Sequence, residues 1–210
     1  MTRNKNYQAL IAEAAEWRFI SLLLERPRGA WHTDVARLGG EMPHAELRLL
    51  IAEARTATQG DYLRLLGPGG LVSPREVTYQ PFADPGQLLA ELATCYDAFA
   101  FRPNVEEPID HIAAEVAFVG YLLLKEAFAD ARGDAAAAQV TAGARHAFID
   151  THLAPFASSF TQRLEATGSS YLLTTGRFLS ASVPARQEPE HRRPAEEAFD
   201  VCGACGLQNG

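Results

Sequence analysis

His111 and Glu115 stand four residues apart, with Asp110 immediately before them. At that spacing two side chains share one face of a helix. An imidazole beside a carboxyl can move a proton or hold a cationic ligand at the mouth of a groove. The same spacing also suits a plainer arrangement, a helix start decorated with anions and a His–Glu contact that satisfies a buried polar atom. Glu106, Glu107 and Asp110 form one dense acidic run flanked by apolar sequence. It suits either a solvated helix start or an acidic rim that would receive a basic and hydrophobic peptide. Cys202-x-x-Cys205 is half of a zinc or iron–sulfur ligand set. With no second pair nearby, the readings are a metal shared between chains, a redox pair, or two exposed thiols. Cys95 falls in an amphipathic stretch and is expected in the core.

Catalytic constellations are missing from the sequence. There is no Gly-x-Ser-x-Gly elbow and no His-Glu-x-x-His zinc helix. Gly67-Pro-Gly-Gly is not followed by Gly-Lys-Ser/Thr, so it is no phosphate-cradling loop. His146 and His152 are six apart, which places them on different helix faces. No metal site and no cofactor are expected.

Stepping along the chain, the periodicity is helical almost throughout. Leu10, Ile11, Ala14, Ala15, Trp17, Phe19, Leu22 and Leu23 recur at three- and four-residue spacing, and Pro27 and Gly29 end that run. Shorter helices are expected over Thr33–Leu38, Ala45–Thr56 and Asp61–Leu66. A long loop from Gly67 to Phe82 follows, and its Val72, Val77, Tyr79 and Phe82 predict that it is packed. Asp84-Pro-Gly opens the next helix, and Arg102-Pro-Asn breaks it. Pro108 suits the first position of the longest helix, which should run to about Arg132. Phe99, Phe101, Phe118, Tyr121 and Phe128 are expected mostly in the core. Asp134 caps a helix through Leu153, Pro155 bends it, and Ser169-Ser170 caps the last one. No strand run is evident. The reading is all-α: a single helical bundle of about seven to nine helices with a hinge near residues 102–107. The helical domain covers 1–183, divided into 1–102 and 107–183.

The 210 residues carry 19 Lys+Arg against 26 Asp+Glu, a formal charge of -7. That balance argues against non-specific grip on nucleic acid or an anionic membrane. Three cysteines make no disulfide framework, which suits a reducing compartment. The basic N-terminus is followed by no long apolar run, and Ile112–Leu124, the most apolar stretch, is too short to span a bilayer. A cytoplasmic location is expected. From Pro184 to Glu197 the chain is rich in proline and charge, so 184–210 reads as a flexible tail ending in the Cys-x-x-Cys pair.

Three segments together resemble the TorD/DmsD/NarJ family of molybdoenzyme maturation chaperones. Leu65-Leu-Gly-Pro-Gly with Ser73-Pro-Arg-Glu-Val-Thr-Tyr79 resembles the family's Gly-Pro-Gly loop. Glu107-Pro-Ile-Asp-His-Ile-Ala-Ala-Glu-Val-Ala-Phe118 resembles its Glu-Pro-x-Asp-His signature. Phe148-Ile-Asp-Thr-His-Leu-Ala-Pro-Phe156 with Phe160 resembles its Phe-x-x-x-His-Leu segment. Thr78, Val116, Val119 and Phe156 depart from the common Ser, Leu, Met and Trp, conservatively for packing. The resemblance covers about Asp61–Ser182 and excludes the cysteine tail. It implies an all-helical cytoplasmic chaperone with no enzymatic activity. Its client would be the apo catalytic subunit of a dimethyl sulfoxide reductase-type enzyme, held through a twin-arginine leader until molybdopterin is inserted, before export. By the same resemblance the peptide-binding residues are Tyr79, Pro81, Glu107, Asp110 and His111, with Glu115 a weaker member. A NarJ-like factor for a non-exported enzyme, and a metal- or redox-responsive protein acting through Cys202 and Cys205, are the alternatives. The chain would be a monomer or a domain-swapped dimer.

Overall fold

The computed structural model describes residues 3–103 and 107–183. Glu106, the tail 184–210 and the Cys202/Cys205 pair lie outside the described residues. Nine α-helices occur among the described residues, and no strands. They are α1 (Arg3–Leu24), α2 (Trp31–Gly40), α3 (Ala45–Ala54), α4 (Gln59–Leu66), α5 (Pro85–Ala98), α6 (Ile112–Arg132), α7 (Ala135–Phe148), α8 (Ala157–Leu164) and α9 (Ser170–Ser182).

α6 is the axis of the bundle. Its Ile112, Ala113, Ala114, Val116, Phe118, Val119, Leu122 and Leu123 are all buried, so it is covered nearly all round. α1 packs along it, and α7 packs on another side. Gly120 lets α1 and α6 approach closely: a Cβ there would sit 3.3 Å from the Ala14 carbonyl oxygen. α8 pairs with α9, α2 with α3, and α9 also touches α1 and α3. One core cluster therefore draws on residues from Leu10 to Val183. Helix ends follow local chemistry. Asp84 and Asp134 accept the Gln87 and Ala137 amides at 2.8 and 3.0 Å, and Gly133 ends α6 in the left-handed region at φ 76°.

Five expectations need correction. α6 does not begin at Pro108. The Pro108–Asp110 segment is a turn, closed by the His111 amide on the Pro108 carbonyl, and His111 is the N-cap. α7 stops at Phe148, and a π-helical turn over Ile149–Leu153 replaces its continuation. In that turn the Ala154 amide donates to the Ile149 carbonyl at 2.8 Å. Pro155 supplies no amide and disfavours helical backbone before it, which is where regular helix is lost. Phe128 is 64% exposed, because it lies with Leu124 on the solvent face of α6 while Ala127 and Ala129 beside it are buried, and the Arg132 guanidinium covers its ring from 5.4 Å. Phe82 is entirely exposed, although Val72 of the same loop is buried. Cys95 is only half-buried, with burial pushing its thiol pKa up and Glu91 adding to it.

Candidate functional site

The long loop does not merely cover the bundle. Its middle is stitched to the entrance of α6. The Glu76 amide donates to the Asp110 carbonyl at 3.0 Å, and the Ile112 amide to the Pro74 carbonyl at 2.9 Å. These bonds form an isolated antiparallel bridge between Arg75 and His111. The second also satisfies one of the amides left open at a helix N-terminus. A 3-10 turn over Glu76–Tyr79 follows directly.

The bridge gathers a buried polar cluster. Arg75 Nε donates to both Asp110 carboxylate oxygens, at 2.9 and 3.1 Å, and Nη2 lies 2.8 Å from Oδ1. Asp110 has no exposed surface. Beside it, the wholly buried Glu76 carboxylate meets His152 Nδ1 at 3.1 and 3.2 Å and accepts from the Gln80 side-chain amide. The π-helical turn is what aims His152 inward. Its neighbour in the sequence reading, His146, is exposed on α7, as a six-residue spacing implies. Glu76 and His152 were not singled out from sequence. Both lie inside the segments that carry the family resemblance, and only the fold shows that these two segments meet.

His111 does not pair with Glu115. As N-cap its backbone is non-helical (φ -78°, ψ 132°), so the four-residue facing rule fails there. Its Nδ1 accepts the Ala113 amide at 3.1 Å. That leaves Nε2 protonated and donating to the Tyr62 hydroxyl, 3.0 Å away, which in turn donates to the Leu24 carbonyl at 3.2 Å. Burial, with help from Arg75 and Arg26, pushes the His111 pKa down to about 3. The ring is therefore a neutral structural cap.

Glu115 is also wholly buried, and neither carboxyl oxygen finds a partner among the described residues. Burial first, then the Glu76 and Asp110 charges, hold its pKa well above the usual carboxylate range. Glu76 is shifted the same way by burial, with His152 opposing. Three buried carboxyl groups thus share one guanidinium and one imidazole.

The remaining candidates lie around this cluster. Tyr79 is half-buried. Its hydroxyl donates to the Ser73 carbonyl at 2.8 Å, its ring stacks on Phe156 at 5.4 Å, and Arg163 covers it from 4.8 Å. Pro81 is exposed. Glu107 is drawn away to Arg26 beyond the end of α1, at 2.7 Å. With Asp110 buried and paired and Glu107 paired elsewhere, these two acids do not form a free rim. Among the described residues no group of three or more His, Cys, Asp or Glu side chains could hold a metal ion. No helix among them is long and apolar enough to cross a membrane.

The family described as nitrate reductase delta subunit matches residues 36–162, more than half of the chain. This chain belongs to that family. Membership bears out the resemblance to the NarJ/TorD-type chaperones drawn from the loop, the Asp-His signature and the Phe148–Phe156 segment, all three of which fall within the matched span. Among curated proteins, the chlorate reductase assembly chaperone protein of Ideonella dechloratans is 32% identical over 127 residues. The match takes in 57% of this family member and 64% of that relative's own length.

Proposed function

We propose that this protein is an assembly chaperone for the catalytic subunit of a molybdopterin-dependent oxidoreductase of the dimethyl sulfoxide reductase type. The observation that carries the reading is the family match over 36–162, supported by the relative's name as a chlorate reductase assembly chaperone. The chaperone would bind the apo-subunit in the cytoplasm through its twin-arginine leader and hold it until the cofactor is in place. It would perform no chemistry of its own. Tyr79 and Pro81 stand on the loop that faces such a client. Asp110 and His111 act at one remove, by fixing that loop to α6, and Glu115 lies behind them.

The tagged full-length chain, purified from its own host grown under conditions that induce respiratory reductases, tests this. Mass spectrometry should find an unprocessed, cofactor-free molybdopterin oxidoreductase subunit bound to it. Recovery of no such subunit, or only of the mature loaded enzyme, would overturn the reading. The family's description as a nitrate reductase delta subunit favours one second reading, a client that is never exported. The captured client's N-terminus, with or without paired arginines, separates the two.

A further inference from the structure

An apolar stripe along the contact of α1 and α6 is covered by no described residue. Ala117, Tyr121, Leu124 and Phe128 recur at three- and four-residue spacing, so they share one face of α6. Ile11, Ala14 and Arg18 share a face of α1 in the same way. Of these, Ile11, Leu124 and Phe128 are exposed. A cavity of about 260 Å³ lies between the two faces, with Phe101 and Pro103 adding to its apolar wall. The fringe of this groove is cationic. Lys125 stands 5.3 Å from the centre of the Tyr121 ring and Arg132 5.4 Å from that of Phe128, and neither meets a carboxylate in a salt bridge among the described residues. Arg18 and Arg102 also line the cavity. Glu25 is the one carboxylate among its described lining residues, and Arg18 takes it up. Arg102 pairs outside the lining, with Asp97 at 2.7 Å.

We propose that the chain's own C-terminal segment, residues 195–202, docks in this groove. At helical spacing Ala195, Ala198, Phe199 and Cys202 fall on one side of that segment, and Glu196, Glu197 and Asp200 on the other. Apolar residues with three acids and no base complement an apolar floor with a cationic fringe. A basic peptide meets like charge there, at Lys125 and Arg132. A second copy of the chain, with its formal charge of -7, is repelled as it approaches. The connection is long enough. The tail leaves from α9, which packs on α1, and α1 is one wall of the groove. A helix with its side chains is about 10–12 Å across. The eleven residues 184–194 extend up to about 36 Å. Tethering also raises the effective concentration of the segment to the order of millimolar, so a weak contact suffices to hold it. Docking gives a role to a segment that lies beyond the family match, which ends at residue 162.

Thiol trapping in the full chain tests this. Cys95→Ser with Cys205→Ser leaves Cys202 as the one native thiol. Leu124→Cys in the groove, or Leu49→Cys on α3 as the control, then adds a second at a position exposed in the native chain. Oxidised glutathione drives disulfide formation, and mass spectrometry of the intact chain and its peptic fragments follows it. The bond to Cys202 should form about tenfold faster or more from position 124 than from position 49, at a rate independent of protein concentration. Phe199→Asp, and separately Glu196→Lys with Glu197→Lys, should each bring the rate at position 124 down to that at position 49. These changes lie beyond α9, and circular dichroism confirms that each variant is folded. Equal rates from the two positions, or a rate at position 124 that Phe199→Asp leaves unchanged, would overturn the proposal. So would a disulfide that joins two chains and grows with protein concentration, which would assign the groove to a second copy.

Discussion

Arg75 and Asp110, thirty-five positions apart in sequence, meet with the guanidinium across both carboxylate oxygens, and the burden of burial falls on one partner alone. Asp110 has no solvent contact, while the Arg75 side chain keeps 39% of its surface. Removing either partner is therefore not equivalent. Arg75→Ala leaves a buried carboxylate unpaired beside Glu76 and Glu115, a loss of about 3–5 kcal/mol. Asp110→Asn leaves a guanidinium that can turn to water and should cost about 1–2 kcal/mol. Urea unfolding of the two variants measures the difference. Equal losses would mean that the pair is not buried as described.

The His111 cap makes stability depend on acid. Its folded pKa of about 3 lies below the ordinary 6.5, so the unfolded chain takes up a proton that the native ring refuses. This contribution is complete above pH 6.5 and is lost as pH falls from there toward 3. His111→Asn keeps a good capping residue and cannot titrate. It should be less stable than the native chain at pH 7, by about 1 kcal/mol for the lost Tyr62 hydrogen bond. The gap should narrow or reverse near pH 4.5. Parallel pH profiles for the two proteins would contradict the neutral, buried ring.

Glu115 carries the opposite sign. Its folded pKa is raised, so the native carboxyl keeps a proton that the unfolded chain releases above its ordinary value of 4.5. Native stability is reduced as pH rises from that value toward the raised one. Glu115→Gln removes the titration and should gain stability relative to the native chain as pH rises from 4.5 to 8. Thermal melts at the two pH values read this directly. A loss of stability at pH 8 would show that the carboxylate is ionised and paired.

Two glycines of similar helical setting should respond in opposite directions. At Gly176 an added Cβ would lie 2.9 Å from Leu164 Cδ1 and 3.0 Å from Thr161 Oγ1, at the close contact of α8 and α9. Gly143, on the outer face of α7, has nothing within 4 Å of that position. Gly176→Ala should destabilise by about 1–3 kcal/mol, and Gly143→Ala should stabilise by about 0.5–1 kcal/mol. Paired melting temperatures would settle both signs.

The helices were legible because each buries one stripe. The spacing of Leu88, Leu92 and Tyr96, or of Phe156, Phe160 and Leu164, is set by the chain's own geometry. The caps Asp84 and Asp134 were legible for the same local reason. The polar cluster was not, because its parts are far apart in sequence. Nothing near Glu76 signals that His152 will arrive on an inward π-helical turn, and nothing near Asp110 signals that Arg75 will neutralise it. The acidic rim was placed at Glu106, Glu107 and Asp110; Glu106 lies outside the described residues, and the other two carboxylates are consumed by arginines from distant segments. Asp84 and Glu91 meet no arginine or lysine in a salt bridge among the described residues. Phe82 was assigned to packing from its type alone, and only the path of the loop beyond Tyr79 shows that its ring misses the bundle.

The turn at Ile149–Leu153 sets a limit on how this chain can change in length. It holds one residue more than an α-helical turn would, and the surplus is what brings His152 to Glu76 and, further on, Phe156 and Phe160 to Tyr79. Deleting a single residue there would swing every later side chain by about 100°. Each of those three contacts would be lost at once, while no individual substitution removes all three. Insertions and deletions should accordingly be excluded between Phe148 and Phe156 in functional descendants of this sequence, and be tolerated in the short solvent-facing turn between Arg132 and Ala135.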